Sequence, residues 1–193
     1  HFVGGIIGVN LENQVVDHCS NTGTMSGFSG LGGIVGLNAG LIYNCSLNDN
    51  FGNTGLSYLG GIASVNIQSK DIADRTYKYG TRSLSYTTGT IQNCSTAKNK
   101  TVSGNQPLGG IVASNLTGGV LKQNSSNANI TGVGNHIGGV AGRNSGIIEI
   151  KDESTESVTR TIRSSKGSGI GGVVGLNEAG GICLLYTSDA ADD

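Results

Sequence analysis

Three kinds of side chain in this sequence could do chemistry: cysteines, a group of tyrosines and basic residues, and one run of carboxylates. Cys19, Cys45 and Cys94 stand at the same place in three similar phrases, VVDHCS, LIYNCS and TIQNCS. A structural metal site would need CxxC pairs, or Cys and His at short fixed spacings. The sequence has no CxxC pair, and His18 beside Cys19 is the only local pairing. We therefore predict no metal site.

The carboxylates come closest together in KDESTES, which contains Asp152, Glu153 and Glu156. Glycoside hydrolases use paired carboxylates as acid, base or nucleophile, but one charged segment is more typical of a solvated loop. HExxH and GxSxG are absent. The glycine-rich phrases GGIIGVN and GGIVGLN contain neither GxGxxG nor GxxxxGKS/T. We predict no catalytic residue and no cofactor, and therefore a protein that is not an enzyme.

The tyrosines and basic residues lie in an apparent insertion, residues 67–88, which reads IQSKDIADRTYKYGTRSLSYTT. It holds four of the twelve basic residues and three of the six tyrosines. Tyrosine beside basic groups is suited to stacking on sugars or to gripping an anionic partner, although an ordinary solvated loop or hairpin is the simpler interpretation. The predicted ligand-binding residues are Arg75, Tyr77, Lys78, Tyr79, Arg82 and Tyr86.

Composition limits the elements that can hold these side chains. The 193 residues include 34 glycines and one proline, no tryptophan, and 13% charged residues. Glycine and short polar residues disfavour helix interiors, so an all-β chain is favoured. The formal charge of -1 gives no general electrostatic reason to expect nucleic acid or an anionic membrane. No apolar run approaches the roughly 20 residues of a membrane-spanning helix.

The sequence is repetitive. A Gly-Gly pair flanked by apolar residues occurs six times, in units that start near residues 3, 31, 59, 108, 137 and 170. Six residues after the first glycine of each pair stands an asparagine: Asn10, Asn38, Asn66, Asn115, Asn144 and Asn177. Units of this length, repeated in tandem, are typical of solenoids.

Each unit contains further short apolar phrases. The cysteine phrases follow the first three Asn positions, VLKQNS is a degenerate fourth copy, and a third phrase places an apolar residue two positions before a glycine, as in Val102 and Gly104. These phrases predict a parallel β-helix of about six coils, with three short strands per coil. Stacking makes columns of equivalent residues, and apolar columns fill the interior. We interpret the Asn column as a corner in the left-handed conformation, with side-chain amides that hydrogen-bond to one another.

The same stacking predicts a column of Cys19, Cys45 and Cys94. Neighbours in such a column have Cα atoms about 5 Å apart, which allows a disulfide by distance, but in-register parallel neighbours do not readily offer the required dihedral angles. Free buried thiols that act as small apolar residues are favoured.

The repeats GGIIGVN, GGIVGLNAG, GGIVASN, GGVAGRNSG and GGVVGLNEAG, with their NCS-type strands, resemble the GLUG motif. The resemblance covers residues 1–182, and its specificity lies in the tandem recurrence. GLUG repeats occur in large secreted or surface-anchored bacterial proteins, including adhesin-like proteins and the non-catalytic regions of immunoglobulin A metallopeptidases. The resemblance therefore implies a bacterial protein at the cell surface or outside the cell.

Two functions follow as hypotheses. The first is a non-catalytic stalk or adhesive segment of a larger polypeptide, with a host glycan or extracellular protein as partner. The alternative is an accessory repeat region of a secreted enzyme, either an immunoglobulin-cleaving metallopeptidase or a β-helix carbohydrate-active enzyme.

Residues 183–193 depart from the repeat. The segment CLLYTSDAADD begins with the translation of tgt ctc tta tac aca tct gac gct gcc gac, which resembles a transposon-end sequencing adapter. We interpret these residues as an artefact of an assembled environmental gene fragment and place the solenoid in residues 1–182.

Overall fold

The computed structural model describes residues 2–23, 25, 29–52, 55–68, 88–151 and 160–186. Within these ranges every regular element is a β-strand, and every pairing between strands is parallel. The strands stack as a β-solenoid of about five turns. The predicted parallel β-helix is confirmed. A complete turn, however, carries five short strands and not three, because a corner divides the Gly-Gly phrase into two strands and another corner divides the cysteine phrase into two.

The strands form five sheets, named A to E in the order in which the chain visits them. Sheet A contains β1 (Val3–Gly4), β5 (Ser29–Gly32), β10 (Ser57–Gly60), β15 (Leu108–Gly109), β20 (Ile137–Gly138) and β24 (Ile170–Gly171). Sheet B contains β2 (Ile7–Asn10), β6 (Val35–Asn38), β11 (Ala63–Asn66), β16 (Val112–Asn115), β21 (Ala141–Asn144) and β25 (Val174–Asn177). Sheet C contains β3 (Val15–Asp17), β7 (Leu41–Tyr43), β12 (Thr90–Gln92), β17 (Val120–Lys122), β22 (Ile147–Lys151) and β26 (Ile182–Tyr186).

The last two sheets are shorter. Sheet D contains β4 (Ser20–Asn21), β8 (Ser46–Leu47), β13 (Ser95–Thr96) and β18 (Ser125–Ser126). Sheet E contains β9 (Phe51–Gly52), β14 (Thr101–Gly104), β19 (Asn129–Gly132) and β23 (Ile162–Ser164). In every sheet the neighbours are equivalent positions of consecutive turns, so that Leu59 pairs with Leu31 on one side and Leu108 on the other.

The core consists of apolar columns that run along the solenoid. In sheet C the second residue of strands β7, β12 and β17 points inward, and Ile42, Ile91 and Leu121 are buried while their neighbours are partly exposed. In sheet E the inward column is Phe51, Val102 and Ile130, all buried. Burying such side chains contributes about 1.5–3 kcal/mol each, so the stacked interior is the main source of stability.

The Gly-Gly pair forms the corner between sheets A and B. A methyl group added at Gly60 would lie 1.8 Å from the carbonyl oxygen of Ala63 in the same turn. One added at Gly61 would lie 2.1 Å from the carbonyl oxygen of Gly110 in the next turn. No side chain fits at those distances, so the repeated pair is required by the close approach of backbone within and between turns.

The segment that we interpreted as adapter-derived begins inside a strand of the structure. In β26, Ile182 and Cys183 pair with Ile147 and Ile148 of β22. Cys183 thereby occupies the end of the buried sheet C column. Residues 187–193 lie outside the described residues.

Candidate functional site

The residues that the sequence singled out as a ligand-binding loop lie outside the described residues. This applies to Arg75, Tyr77, Lys78, Tyr79, Arg82 and Tyr86, and equally to Asp152, Glu153 and Glu156. The structure does describe the two ends of the insertion. Gln68 and Thr88 form an antiparallel bridge, and the Gly89 N–H donates to the Ile67 carbonyl at 3.2 Å. The insertion therefore leaves and rejoins the solenoid at the corner between sheets B and C.

That corner holds the asparagine ladder (Asn10, Asn38, Asn66, Asn115, Asn144 and Asn177). Each side-chain amide donates to the side-chain oxygen of the next asparagine along the chain, over distances of 2.8–2.9 Å. The same amides donate to backbone carbonyls of the corner, as Asn66 does to Gly89 at 2.9 Å. The predicted ladder is confirmed, and all five of its hydrogen bonds run in one direction.

One part of the interpretation of the ladder was wrong. None of the six asparagines is among the residues with positive φ. They end sheet B strands in extended backbone and act through their amides alone. The left-handed position that recurs in four turns lies between sheets C and D, at the residue before each cysteine position: His18, Asn44, Asn93 and Gln123, with φ between 50° and 53°. Asparagine tolerates this conformation best of the three residue types, which accounts for the Asn of the NCS phrase.

The cysteines form a column at the same corner, directly after the left-handed residues. The Cys19 N–H donates to Cys45 Sγ, and the Cys45 N–H donates to Cys94 Sγ, both at 3.4 Å. In the next turn Asn124 takes the place of cysteine, and its Oδ1 accepts from the Cys94 N–H at 2.9 Å. Cys45 and Cys94 are thus more than small apolar residues, because each of their sulfurs satisfies a backbone donor of the preceding turn.

The thiols at this corner are free. Cys45 and Cys94 are each 1% exposed, and their sulfurs donate to the carbonyls of Tyr43 and Gln92. The hydrogen bond with the Cys45 thiol, together with burial, raises the pKa of the Cys94 thiol. A buried thiol of raised pKa is a poor nucleophile, so Cys94 contributes packing and hydrogen bonds rather than reactivity.

No group of three or more His, Cys, Asp and Glu side chains in the described ranges could hold a metal ion. The described part of the chain also contains no helix that could span a membrane.

The described surface with the most promising chemistry is the outer side of sheet E, which we call the polar face. Residues on either side of the inward column point outward there and line a shallow groove of about 330 Å³. The groove is lined by Thr101, Ser103, Asn129, Thr131, Thr161 and Arg163. In register, Thr101 lies beside Asn129, Ser103 beside Thr131, and Thr131 beside Arg163.

Backbone contacts hold the polar face in place. Asn50 Oδ1 accepts from the Thr101 N–H, and Asn129 Oδ1 accepts from the Thr161 N–H, each at 2.8 Å. These amides brace one turn against the next at the edge of the face. The hydroxyls of Thr101, Ser103, Thr131 and Thr161 make no hydrogen bond to another described residue, and each can both donate and accept. Rows of free hydroxyls about 4.8 Å apart can bind a polyhydroxylated ligand.

Sequence analysis missed this face, although its signal was present. Val102 belongs to the recurring phrase with an apolar residue two positions before glycine, as Ile130 does one turn later. Alternation in a strand sends the neighbours of such residues to the opposite side. Nothing in the pattern distinguished these outward Ser and Thr residues from the many others in the sequence.

Comparison with family models, curated proteins and solved structures found no match to this chain.

Proposed function

We propose that this chain is a non-catalytic β-solenoid segment of a larger secreted or cell-surface bacterial protein, and that it acts as a stalk that presents a glycan-binding surface. The observation that carries the proposal is the polar face. It combines regularly spaced hydroxyls with the guanidinium of Arg163. Stacked turns supply rigidity, and sugars offer the matching pattern of donors and acceptors.

The class of glycan follows from charge. Arg163 is exposed at one end of the groove and has no ion-pair partner among the described residues. A guanidinium matches the geometry of a carboxylate and binds it through two parallel hydrogen bonds. Acidic saccharides, with uronic or sialic acid units, therefore fit this face better than neutral ones.

A panel of immobilised uronic-acid, sialylated and neutral oligosaccharides tests the proposal. We expect Thr131→Val, which keeps the shape and removes one hydroxyl, to weaken binding. Arg163→Gln should weaken binding of acidic members about tenfold or more. The matched control is Lys166→Gln, which removes one exposed positive charge outside the groove. Equal effects of the two charge variants would mean that only net charge matters and would contradict the proposal.

The insertion is the competing location. The triple variant Arg75→Ala/Tyr77→Ala/Tyr79→Ala should leave binding unchanged if the polar face is the site. Loss of binding in this variant, with no effect of Thr131→Val, would move the site to the insertion. Release of new reducing ends or peptide fragments by the purified chain would contradict the non-catalytic part of the proposal and favour an enzyme.

A further inference from the structure

The polar face is narrow along its strands and long along the solenoid axis. In β14 two side chains point outward, Thr101 and Ser103, on either side of the buried Val102, and they lie about 6.6 Å apart. Along the axis, one outward column is polar over four consecutive turns: Asn50, Thr101, Asn129 and Thr161. That column is about 14 Å long. A chain-like ligand therefore meets more of the face along the axis than along a strand.

Given the glycan-binding function proposed above, we infer that the ligand is a linear polysaccharide of alternating acidic and neutral units, which lies along the solenoid axis with one sugar unit on each turn. Successive turns are about 4.8 Å apart, which is close to the advance of one sugar unit in an extended polysaccharide. Each turn of the groove offers one pair of outward side chains to one sugar unit: Thr101 and Ser103, then Asn129 and Thr131, then Thr161 and Arg163.

The long column itself repeats every two turns. Asn50 Oδ1 accepts from the Thr101 N–H, and Asn129 Oδ1 accepts from the Thr161 N–H. Because these oxygens are occupied by backbone, each asparagine turns its Nδ2 group to the ligand as a donor. The threonine turns between them offer hydroxyls instead. The face therefore alternates amide and hydroxyl with the period of a disaccharide.

The charges decide which of the two units is acidic. Arg163 supplies the only positive charge among the described residues that line the groove, and it lies on a threonine turn, two residues from Thr161. A carboxylate there gains a bidentate ion pair. Two turns away, the equivalent unit faces the hydroxyls of Thr101 and Ser103, which can donate to its carboxylate. Lys100, next to Thr101 in sequence, is already paired with Asp49 at 3.2 Å.

The probes are oligosaccharides of alternating glucuronic acid and N-acetylglucosamine, two and four units long, titrated into the full chain in a calorimeter. The disaccharide covers the turn of Arg163 and one neighbour, whereas the tetrasaccharide also reaches the turn of Thr101. We expect the tetrasaccharide to bind at least about tenfold more tightly. It should also bind more tightly than a tetramer of galacturonic acid, which carries a carboxylate on every unit.

A matched pair of variants tests the direction of the chain. Thr161→Val and Thr101→Val make the same change at two places in one column, on the turn of Arg163 and two turns away. We expect Thr161→Val to weaken both oligosaccharides and Thr101→Val to weaken the tetrasaccharide alone, each about three- to tenfold. The control Ser95→Ala removes an outward hydroxyl of sheet D outside the groove and should bind like the wild type.

The failures are distinguishable. Tetrasaccharide binding that is weakened by Arg163→Gln but not by Thr101→Val would contradict the axial placement and leave the proposed function standing. Tighter binding of the galacturonic acid tetramer would contradict the alternation. If no oligosaccharide of either length binds to a chain whose far-UV circular dichroism shows β-structure, both the inference and the proposed function are wrong.

Discussion

Replacing Asn115 by alanine tests most directly whether the asparagine ladder stabilises the fold. Asn115 is fully buried. Its side chain accepts from Asn66 at 2.9 Å, donates to Asn144 Oδ1 at 2.8 Å and donates to the Gly119 carbonyl at 3.2 Å. The substitution removes these hydrogen bonds, and among the described residues the Gly119 carbonyl keeps only the backbone N–H of Ile147, at 2.9 Å.

The expected cost follows from these contacts. Three hydrogen bonds at about 1 kcal/mol each give about 3 kcal/mol of lost stability. Asn177→Ala is the matched control, because Asn177 is exposed at the end of the ladder and makes two such bonds. We expect it to cost about 1 kcal/mol.

Urea unfolding followed by far-UV circular dichroism measures both free energies, and hydrogen exchange locates the loss in the turns next to Asn115. A third variant, Asn115→Asp, adds a pH test. One carboxylate oxygen would keep the hydrogen bond from Asn66, but the other would face the acceptors Asn144 Oδ1 and the Gly119 carbonyl at neutral pH. The variant should therefore be less stable than Asn115→Ala there, and it should recover as the pH falls through a carboxyl pKa that burial raises above its ordinary value of about 4, because protonation restores a donor. If Asn115→Ala costs no more than Asn177→Ala, the ladder is not a stabilising element and the reasoning fails.

Four further outcomes are expected from the same structure. Gly61→Ala should cost at least about 2 kcal/mol of unfolding free energy through overpacking against Gly110. Gly172→Ala should stay within about 0.5 kcal/mol of the wild type, because a methyl group there meets nothing within 4 Å. Equal effects of the two substitutions would refute the account of the Gly-Gly corner. Gln123→Asn should stabilise by about 0.5–1 kcal/mol in urea unfolding, because Gln123 has φ 53° and asparagine tolerates that conformation better; a loss of stability would contradict this. Cys94→Ala should cost about 2–4 kcal/mol of unfolding free energy, because it leaves a cavity and leaves the Cys45 N–H without its acceptor. Cys94→Asn should recover most of this loss, because its side chain can accept the hydrogen bond as that of Asn124 does. If thermal unfolding ranks the two variants the other way, the role assigned to sulfur is wrong. The Ser145 hydroxyl and Arg143 hold the pKa of Glu178 below its ordinary value. Their contribution to folding stability is therefore present above the ordinary carboxyl pKa and is lost as the pH falls through the lowered pKa. Hydrogen exchange in β25 should show this loss of stability in the wild type and not in Glu178→Gln.

The parts of the fold that could be predicted are those in which one residue type recurs at one place. The Gly-Gly pair and the asparagine six positions later recur in all six units, and stacking of like on like is the simplest physical reason for that pattern. The columns of Leu31 and Asn38 follow directly. The assignment of Asn38 to a left-handed corner failed because asparagine has two uses in a solenoid, as a left-handed residue and as a stacked amide, and composition alone does not separate them.

The strand count was underestimated for a different reason. Strands such as β8 and β18 contain two residues each, which is too short for alternation to be visible in sequence. Their pairing is imposed by the neighbouring turns. The polar face was not predicted for a similar reason. Only the register between turns shows that Thr101 and Thr131 line the same groove.

The most direct test of the account is NMR detection of the ladder itself in the ¹⁵N-labelled chain. Stacking in register predicts an unbroken series of nuclear Overhauser contacts between side-chain amides, from Asn10 through Asn38, Asn66, Asn115 and Asn144 to Asn177, with each amide proton close to the next asparagine along the chain. Contacts that skip a turn, that join other asparagines, or that are absent between Asn66 and Asn115 would contradict the solenoid on which every proposal here is built.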